Sequence, residues 1–248
     1  MALVTDGGIS TVADLQSLDS SILETARVEG IALPAKLTLA ETMIKLEVAA
    51  FLSRIAPTDG NPEAVLRRVV VTPGLQRWHA LKALAEVYSD AYSSQLNDRY
   101  LGKWNAFSKL AKETGDLLYE IGIGMVGTPV PRAERPSVTT ATGSGSGGAF
   151  LMRVAWRNYQ GQLGVPSDSL LVEVEPGKVA VVDAGAAPPD CVSFDVFVGD
   201  SEDTITKQNL EPVQAGTLWT MPAQGISTGQ RPGSGQAPEY FLRRRRTY

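Results

Sequence analysis

Few residues of this 248-residue chain have side chains suited to nucleophilic or acid–base chemistry. His79 is the only histidine and Cys191 the only cysteine. A Ser-His-Asp or Cys-His site would have to use His79, which follows Trp78 in a segment with helical spacing, whereas Cys191 lies among strand-like residues. We interpret His79 as a histidine that is exposed or has its hydrogen bonds satisfied, and we predict a non-enzymatic protein with no catalytic residues.

Glycine-rich and acidic segments also suggest ligand sites, but their contexts argue against them. Residues 122–127 and 143–148 match G-x-G-x-x-G. That fingerprint requires a strand before it and a helix after it, and neither segment has both. Asp200, Glu202 and Asp203 offer oxygen ligands of the kind that Ca²⁺ prefers, but their spacing matches no EF-hand. We therefore predict no cofactor and no metal.

Composition and charge fit a soluble globular protein. The hydrophobic fraction is 43%, the charged fraction 20% and the net charge −4. Residues 136–242 carry eleven acidic and five basic side chains, and the four arginines Arg243, Arg244, Arg245 and Arg246 follow them. Three interpretations of this basic tail are open: a solvated end, a contact with an acidic protein neighbour, or a contact with DNA.

The N-terminal residues lack the basic and apolar regions of a signal peptide. The chain also has no run of about 18 apolar residues, the length needed to span a membrane. We expect a soluble protein made inside the cell, without membrane contact. A single cysteine excludes an intrachain disulfide.

The first half of the chain has helical periodicity. Thr11 with Asp14, and Ser21 with Glu24, have capping-box spacing, and Gly30 suits the end of the second helix. A longer helix begins near Pro34. Residues 74–121 are helical as well, and their spacing leaves open one bent helix or a hairpin.

The second half alternates apolar and polar residues in short runs separated by turn residues, which predicts antiparallel strands. Trp156 is the best candidate for the core aromatic residue. We predict an α+β multidomain protein, with an N-terminal helical bundle (residues 1–128) and a C-terminal antiparallel β-sandwich of immunoglobulin or fibronectin III type (149–242). A Pro-rich then Gly/Ser-rich linker (129–148) joins them, and a basic tail (243–248) ends the chain. The alternative is that the linker is a long loop inside one α+β domain.

Aromatic residues are frequent in the helical half. They are either core and rim residues or subunit contacts, where Tyr and Trp are enriched. We name as candidate protein-interface residues the aromatic side chains together with the end of the chain: Trp78, Tyr88, Tyr92, Tyr100, Trp104, Tyr240, Phe241 and the four arginines.

Several motifs resemble those of a known protein family. Residues 78–88, 95–100, 103–104 and 122–124, followed by the proline-rich exit, resemble the head-to-tail adaptor (connector) proteins of tailed bacteriophages. Residues 10–15 and 40–46 are similar in kind. In the second half, the segments 154–156, 161–167, 194–199 and 210–220 resemble immunoglobulin- or fibronectin-like modules of virion proteins.

This resemblance implies a structural virion protein in the neck, synthesised in the host cytoplasm. Its partners would be further copies of itself in a ring, commonly of twelve, the portal protein, and tail or neck proteins, with a passing contact to packaged DNA. The alternative function is a collar, decoration or tail protein whose β-sandwich binds the capsid or the host surface.

Overall fold

The computed structural model of the protein describes residues 1–55, 61–95 and 98–244. The chain divides into two compact units. The helical unit comprises Gly7–Val126 and the C-terminal segment from Pro238, and the sandwich unit comprises Met1–Asp6 and Gly127–Ala237. Helices followed by antiparallel sheets confirm the predicted fold class, but each unit also takes in a short segment from one end of the chain.

The helical unit is built from six helices in its described part. Their bounds are α1 Val12–Leu18, α2 Ile22–Glu29, α3 Leu33–Ile55, α4 Pro62–Leu66, α5 Pro73–Gln95 and α6 Leu101–Ile121. The first capping box is confirmed: the Asp14 backbone N–H donates to the Thr11 hydroxyl, and the Asp14 carboxylate accepts from the Thr11 backbone N–H. Gly30 ends α2 with a φ of 68°, in the left-handed region that favours glycine.

The second predicted capping box is wrong. Ser21 precedes α2, but its side chain caps no backbone N–H group. Its hydroxyl and its backbone N–H instead donate to the Asp19 carboxylate, at 2.8 and 3.1 Å. A carboxylate accepts a stronger, charge-assisted hydrogen bond than a neutral acceptor does. The Ser21 hydroxyl therefore donates to Asp19 instead of accepting from a backbone N–H group of α2.

The helices α5 and α6 form an antiparallel hairpin, which resolves the alternative left open by periodicity. Aromatic rings pair across them in reversed order along the chain, each with centroids 5.6 Å apart: Trp78 with Tyr119, Tyr88 with Phe107, and Tyr92 with Trp104. The helix α3 also packs on α5. Buried side chains of α1, α2, α3 and α5, among them Leu15, Ile22, Ala40 and Leu84, complete this core.

The C-terminal strand belongs to the helical unit. Directly after α6, β1 (Ile123–Met125) pairs antiparallel with β10 (Tyr240–Leu242). Val69 forms a bridge to Met125. The predicted boundary of the sandwich at residue 242 therefore differs from the structure, because β10 finds its hydrogen-bonding partner more than a hundred positions earlier in the chain.

The sandwich unit contains eight strands. They are β2 Ser137–Thr142, β3 Gly148–Asn158, β4 Leu170–Val174, β5 Lys178–Asp183, β6 Cys191–Gly199, β7 Thr206–Lys207, β8 Val213–Gln214 and β9 Trp219–Thr220. One sheet has the order β2-β5-β9 and the other β4-β3-β6-β7, with β8 also on β6, and all pairs are antiparallel. Side chains of both sheets share one core, in which Trp156 meets Phe194 edge to face. The prediction for Trp156 is confirmed.

Part of the strand order matches that of an immunoglobulin-type sandwich, but β9, which lies beside β5 where that fold has strand D, is the last strand of the sandwich in the chain. If β2, β3, β4, β5 and β6 are taken as strands B, C, C′, E and F, the pairs reproduce the B–E and C′–C–F neighbours of that fold. Trp156 then lies on strand C, the position of the core tryptophan in immunoglobulin domains. No strand among the described residues takes the place of strand A beside β2.

Most of the predicted linker is structured, so the prediction of a linker over residues 129–148 is wrong for most of its length. Residues 137–142 form β2, and Val130 and Ala133 are buried in the sandwich core. The Val130 N–H donates to the Gln236 side chain, and the Ala133 N–H donates to the Val165 carbonyl. These partners are distant in sequence, so composition alone could not reveal them. Only residues 143–147 remain as a connection between β2 and β3.

Close approach of α5 and α6 depends on a glycine, and this can be tested. A Cβ at Gly115 would lie 2.7 Å from Trp78 Nε1, whereas a Cβ at Gly102 on the same helix would meet nothing within 4 Å. We expect Gly115→Ala to destabilise the helical unit by about 1–3 kcal/mol through overpacking. The control Gly102→Ala should be neutral or stabilising by up to about 1 kcal/mol.

Urea unfolding followed by far-ultraviolet circular dichroism measures both variants. Equal effects of the two substitutions would contradict the requirement for glycine at position 115.

Candidate functional site

His79 is a structural histidine of the helical unit. It is fully buried on α5, with Nδ1 2.6 Å from the Ser10 hydroxyl and Nε2 3.0 Å from the Leu37 carbonyl oxygen. A carbonyl only accepts hydrogen bonds, so Nε2 carries the proton and Nδ1 accepts from Ser10. Ser10 is also buried. The two ring nitrogens thus link α5 to Ser10 and to α3. His79 has its hydrogen bonds satisfied, which is one of the two states that we predicted for it.

Cys191 lies in the sandwich core. Burial, with the nearby Asp190 carboxylate, raises the pKa of the Cys191 thiol to about 11. The thiol is therefore protonated at neutral pH, and a protonated buried thiol is a poor nucleophile.

Two of the three carboxylates of the acidic loop have protein partners. Glu202 accepts hydrogen bonds from Arg153 and Ser169, and Asp200 accepts one from Thr204. Over the described residues, no group of three or more His, Cys, Asp or Glu side chains is placed to hold a metal ion. The two glycine-rich segments also differ from a nucleotide loop, since one contains β1 directly after α6 and the other joins β2 to β3.

Within the described ranges, none of the helices combines the length and the apolar character that crossing a membrane requires.

Three of the predicted interface aromatics are core residues. Trp78, Tyr88 and Tyr100 are buried, so the prediction of an interface role is wrong for them. The Tyr88 hydroxyl donates to Asp19, and the Tyr100 hydroxyl donates to Glu29 at 2.8 Å. Two long helices that pack over their full length need large side chains between them, which accounts for the excess of aromatic residues.

The tyrosine network includes a charged pair. Lys103 Nζ lies 2.8 Å from the Asp19 carboxylate and 2.9 Å from the Tyr88 hydroxyl. Burial opposes the charge on Asp19, but hydrogen bonds from Lys103, Tyr88 and Ser21 lower its pKa to about 2. This network joins the start of α2 to α5 and α6.

Other predicted interface residues keep exposed surface. Tyr92 and Trp104 are half-buried and stack on each other. On β10, Tyr240 and Phe241 are exposed, as are Arg243 and Arg244 beyond it. Arg245 and Arg246 lie outside the described residues.

Arg244 anchors the C-terminal segment on α6. Its backbone N–H donates to the Tyr119 carbonyl at 2.8 Å, and its guanidinium lies 5.1 Å from the centre of the Tyr119 ring. It also faces Asp116 at 3.7 Å. The start of the basic tail thus contacts an acidic side chain of its own unit, an intramolecular contact that the three interpretations of the tail did not include.

An apolar stripe on the outer face of α3 was missed from the sequence. Its members recur at intervals of four, three and four residues, which places them on one helix face: Leu39, Met43, Leu46 and Ala50. Leu46 is 68% exposed and Leu39 is 42% exposed. The core residues Ala40, Ile44 and Val48 occupy the opposite face. A helix with apolar residues on both faces has one face left to pack against something else.

A second stripe with the same spacing lies on α6. It consists of Leu110, Thr114, Leu117 and Ile121. Leu117 and Ile121 are each 55% exposed, whereas Ala111 and Leu118 face the core. We refer to these two sets as the α3 stripe and the α6 stripe. The four-three-four spacing of this stripe is visible in the sequence. Spacing alone, however, does not show whether Leu110 and Leu117 face the core or the solvent.

Comparison of the chain with protein-family models, with curated proteins and with solved structures found no match.

The role of His79 predicts its titration. Burial lowers its pKa below the ordinary 6.5, and the hydrogen bond to the Leu37 carbonyl and nearby acidic groups offset this only in part. We expect the Nε2–H tautomer at neutral pH and a titration midpoint below 6.5. Because the folded state disfavours the charged imidazole, the helical unit should lose stability as pH falls from about 6.5 through the folded-state pKa, and gain nothing from this group above that range.

The single histidine allows ¹H–¹⁵N correlation spectra to follow this imidazole without mutagenesis. A midpoint at or above 6.5, or the Nδ1–H tautomer, would show that the ring is not held as described.

Proposed function

We propose that the protein is a structural virion component of a tailed phage that assembles with copies of itself into a ring between portal and tail. The observation that supports self-assembly is the presence of two exposed apolar stripes on different helices of one unit. If the α3 stripe of one copy packs on the α6 stripe of the next, each copy keeps one stripe free for a further neighbour. Such a head-to-tail contact closes into a ring when its rotation allows.

The spacing of the stripes suits helix–helix packing. Apolar residues at intervals of three and four form the ridges and holes through which two helices interlock. Each half-exposed leucine that becomes buried contributes about 1 kcal/mol or more. Leu39, Leu46, Leu110 and Leu117 are all at least 42% exposed in the single chain, so the contact buries several such side chains at once.

The assignment to a phage neck rests on the resemblance of the helical and sandwich segments to adaptor and virion proteins. The geometry is compatible with a non-catalytic role, because His79 and Cys191 both lie in cores. Portal, tail and neck proteins are the partners that this role requires.

The alternative function, a collar, decoration or tail module that binds the capsid or the host surface, is favoured by one observation on the sandwich unit. Leu210 is 97% exposed in the loop between β7 and β8. An apolar side chain displayed so fully on a loop suits a contact with another surface.

The ring contact can be tested by charge insertion. We expect Leu46→Glu or Leu117→Glu to abolish assembly of the purified protein, because each buries an unpaired carboxylate in the contact. Light scattering and negative-stain imaging measure particle size. Leu210→Glu, in the sandwich unit, is the matched control and should assemble normally.

Mixing the two variants distinguishes head-to-tail from symmetric contacts. A Leu46→Glu chain retains its α6 stripe and a Leu117→Glu chain retains its α3 stripe, so the mixture should form one heterodimer through the stripes and no ring. Homodimers of either single variant that are lost when both substitutions are combined in one chain would instead indicate that like stripes pair, and unimpaired assembly of both variants would overturn the ring contact.

The virion assignment has its own test. We expect the protein in purified particles of the phage that encodes it, with density at the neck in cryo-electron microscopy. Absence from the particles would reject the assignment. Particles with Leu210→Asp that assemble normally but adsorb poorly would favour the alternative function.

A further inference from the structure

The strand β2 forms an open edge of the three-stranded sheet. Its six residues pair with β5 from Ser137↔Asp183 to Thr142↔Lys178, and no other described strand pairs with it. Backbone N–H and C=O groups on the far side of β2 therefore point away from the sheet. Such a row of groups is a template for one more strand.

No described strand of the sandwich unit covers this edge. All residues of β2 are exposed except Val138, which is half-buried against the sandwich core. The strand also lacks the devices by which proteins protect edges, since its sequence, Ser-Val-Thr-Thr-Ala-Thr, contains no charge and no proline. Its β-branched residues favour an extended backbone.

The segment that could have closed the edge is bonded elsewhere. In an immunoglobulin-type sandwich, strand A precedes strand B and pairs with it. Here the residues before β2 run across other parts of the sandwich unit: the Val130 N–H donates to Gln236, the Arg132 N–H to Asp6 and the Ala133 N–H to Val165. The place beside β2 is therefore open to a strand from outside this chain.

We propose that β2 pairs antiparallel with β2 of a second copy, so that two three-stranded sheets join into one six-stranded sheet. The strand's own sequence selects this occupant. Directly opposed residues of an antiparallel pair lie on the same sheet face, so a twofold axis between two identical strands must place one residue opposite its own copy. An axis at Thr139 or Thr140 places that threonine opposite itself, and every other opposed pair is uncharged.

These opposed pairs are favourable ones. With the axis at Thr140, Val138 meets the partner's Thr142 and Thr139 meets the partner's Ala141, and the arrangement with the axis at Thr139 is similar. Thr–Thr pairs across strands stabilise a sheet, and like charges, which would oppose pairing of identical strands, are missing from both registers. A strand with many charges could not pair with a copy of itself in this way.

This edge pairing goes beyond the ring contact and uses a different unit of the protein. The test therefore uses the full chain with Leu46→Glu and Leu117→Glu, in which both helical stripes are inactivated. Analytical ultracentrifugation up to about 1 mM protein, a range that detects weak association, should show a monomer–dimer equilibrium. Hydrogen exchange should show protection of β2 amides that rises with protein concentration.

A charged residue on the edge should weaken the dimer. Thr139→Lys puts like charges close together across the twofold axis without touching the core, and should weaken dimerisation by about tenfold or more. The control Thr220→Lys, an exposed position on β9 at the other edge of the same sheet, should leave it unchanged.

A double stripe variant that stays monomeric over the whole range would overturn the edge pairing while leaving the ring contact untouched. An unchanged dimerisation constant in Thr139→Lys would also overturn it, as would protection of β2 that appears only when a different protein is added. The ring contact, by contrast, is tested with Leu46→Glu and Leu117→Glu in separate chains that keep the natural β2, and it fails if these variants still form rings.

Discussion

The contact between Trp78 and Gly115 is the constraint on which the helical unit depends. Because Gly115 has no side chain, α6 approaches α5 closely enough for its backbone to lie against the indole. Tyr119, one turn further along α6, then packs edge-on to Trp78 and also meets the Phe51 ring of α3 at 4.6 Å. The same tyrosine holds Arg244 through its ring and its carbonyl group. One close approach of two helices therefore positions α3 and the C-terminal segment as well.

The sandwich unit is organised by a different kind of interaction, a buried charge cluster on its larger sheet. Asp195 on β6 is fully buried and accepts two hydrogen bonds from Arg157 on β3, with Lys207 of β7 at 3.2 Å and Asn209 at 2.9 Å. Burial opposes the charge, but these partners together hold the pKa of Asp195 below its ordinary value. These partners link β6 to β3 and β7, and removing one of them would leave the buried charge less well compensated.

Each unit leaves one kind of group without a partner in the single chain, and the kind depends on the secondary structure of the unit. A helix satisfies its own backbone hydrogen bonds, so the helical unit can offer only side chains, and it offers the apolar α3 and α6 stripes. A sheet satisfies its backbone groups only through neighbours, so the sandwich unit offers the unpaired groups of β2. The proposed ring contact and the proposed edge pairing are thus two independent ways for copies of the chain to associate, one driven by apolar burial and the other by hydrogen bonding.

Local order in the sequence determined the class and the bounds of many elements. Thr11 and Asp14 specify the start of α1, Gly30 specifies the end of α2, and the alternation along β3 and β6 places Trp156 and Phe194 in the core. These features depend on backbone geometry within a few residues. Only the tertiary structure decided that the proline-rich segment is held by the sandwich, that Trp78, Tyr88 and Tyr100 are core residues, and that the α6 stripe is exposed. Burial and strand pairing depend on residues far away in the chain, as in the pairing of Ile123–Met125 with Tyr240–Leu242. The periodicity of a segment does not identify such distant partners.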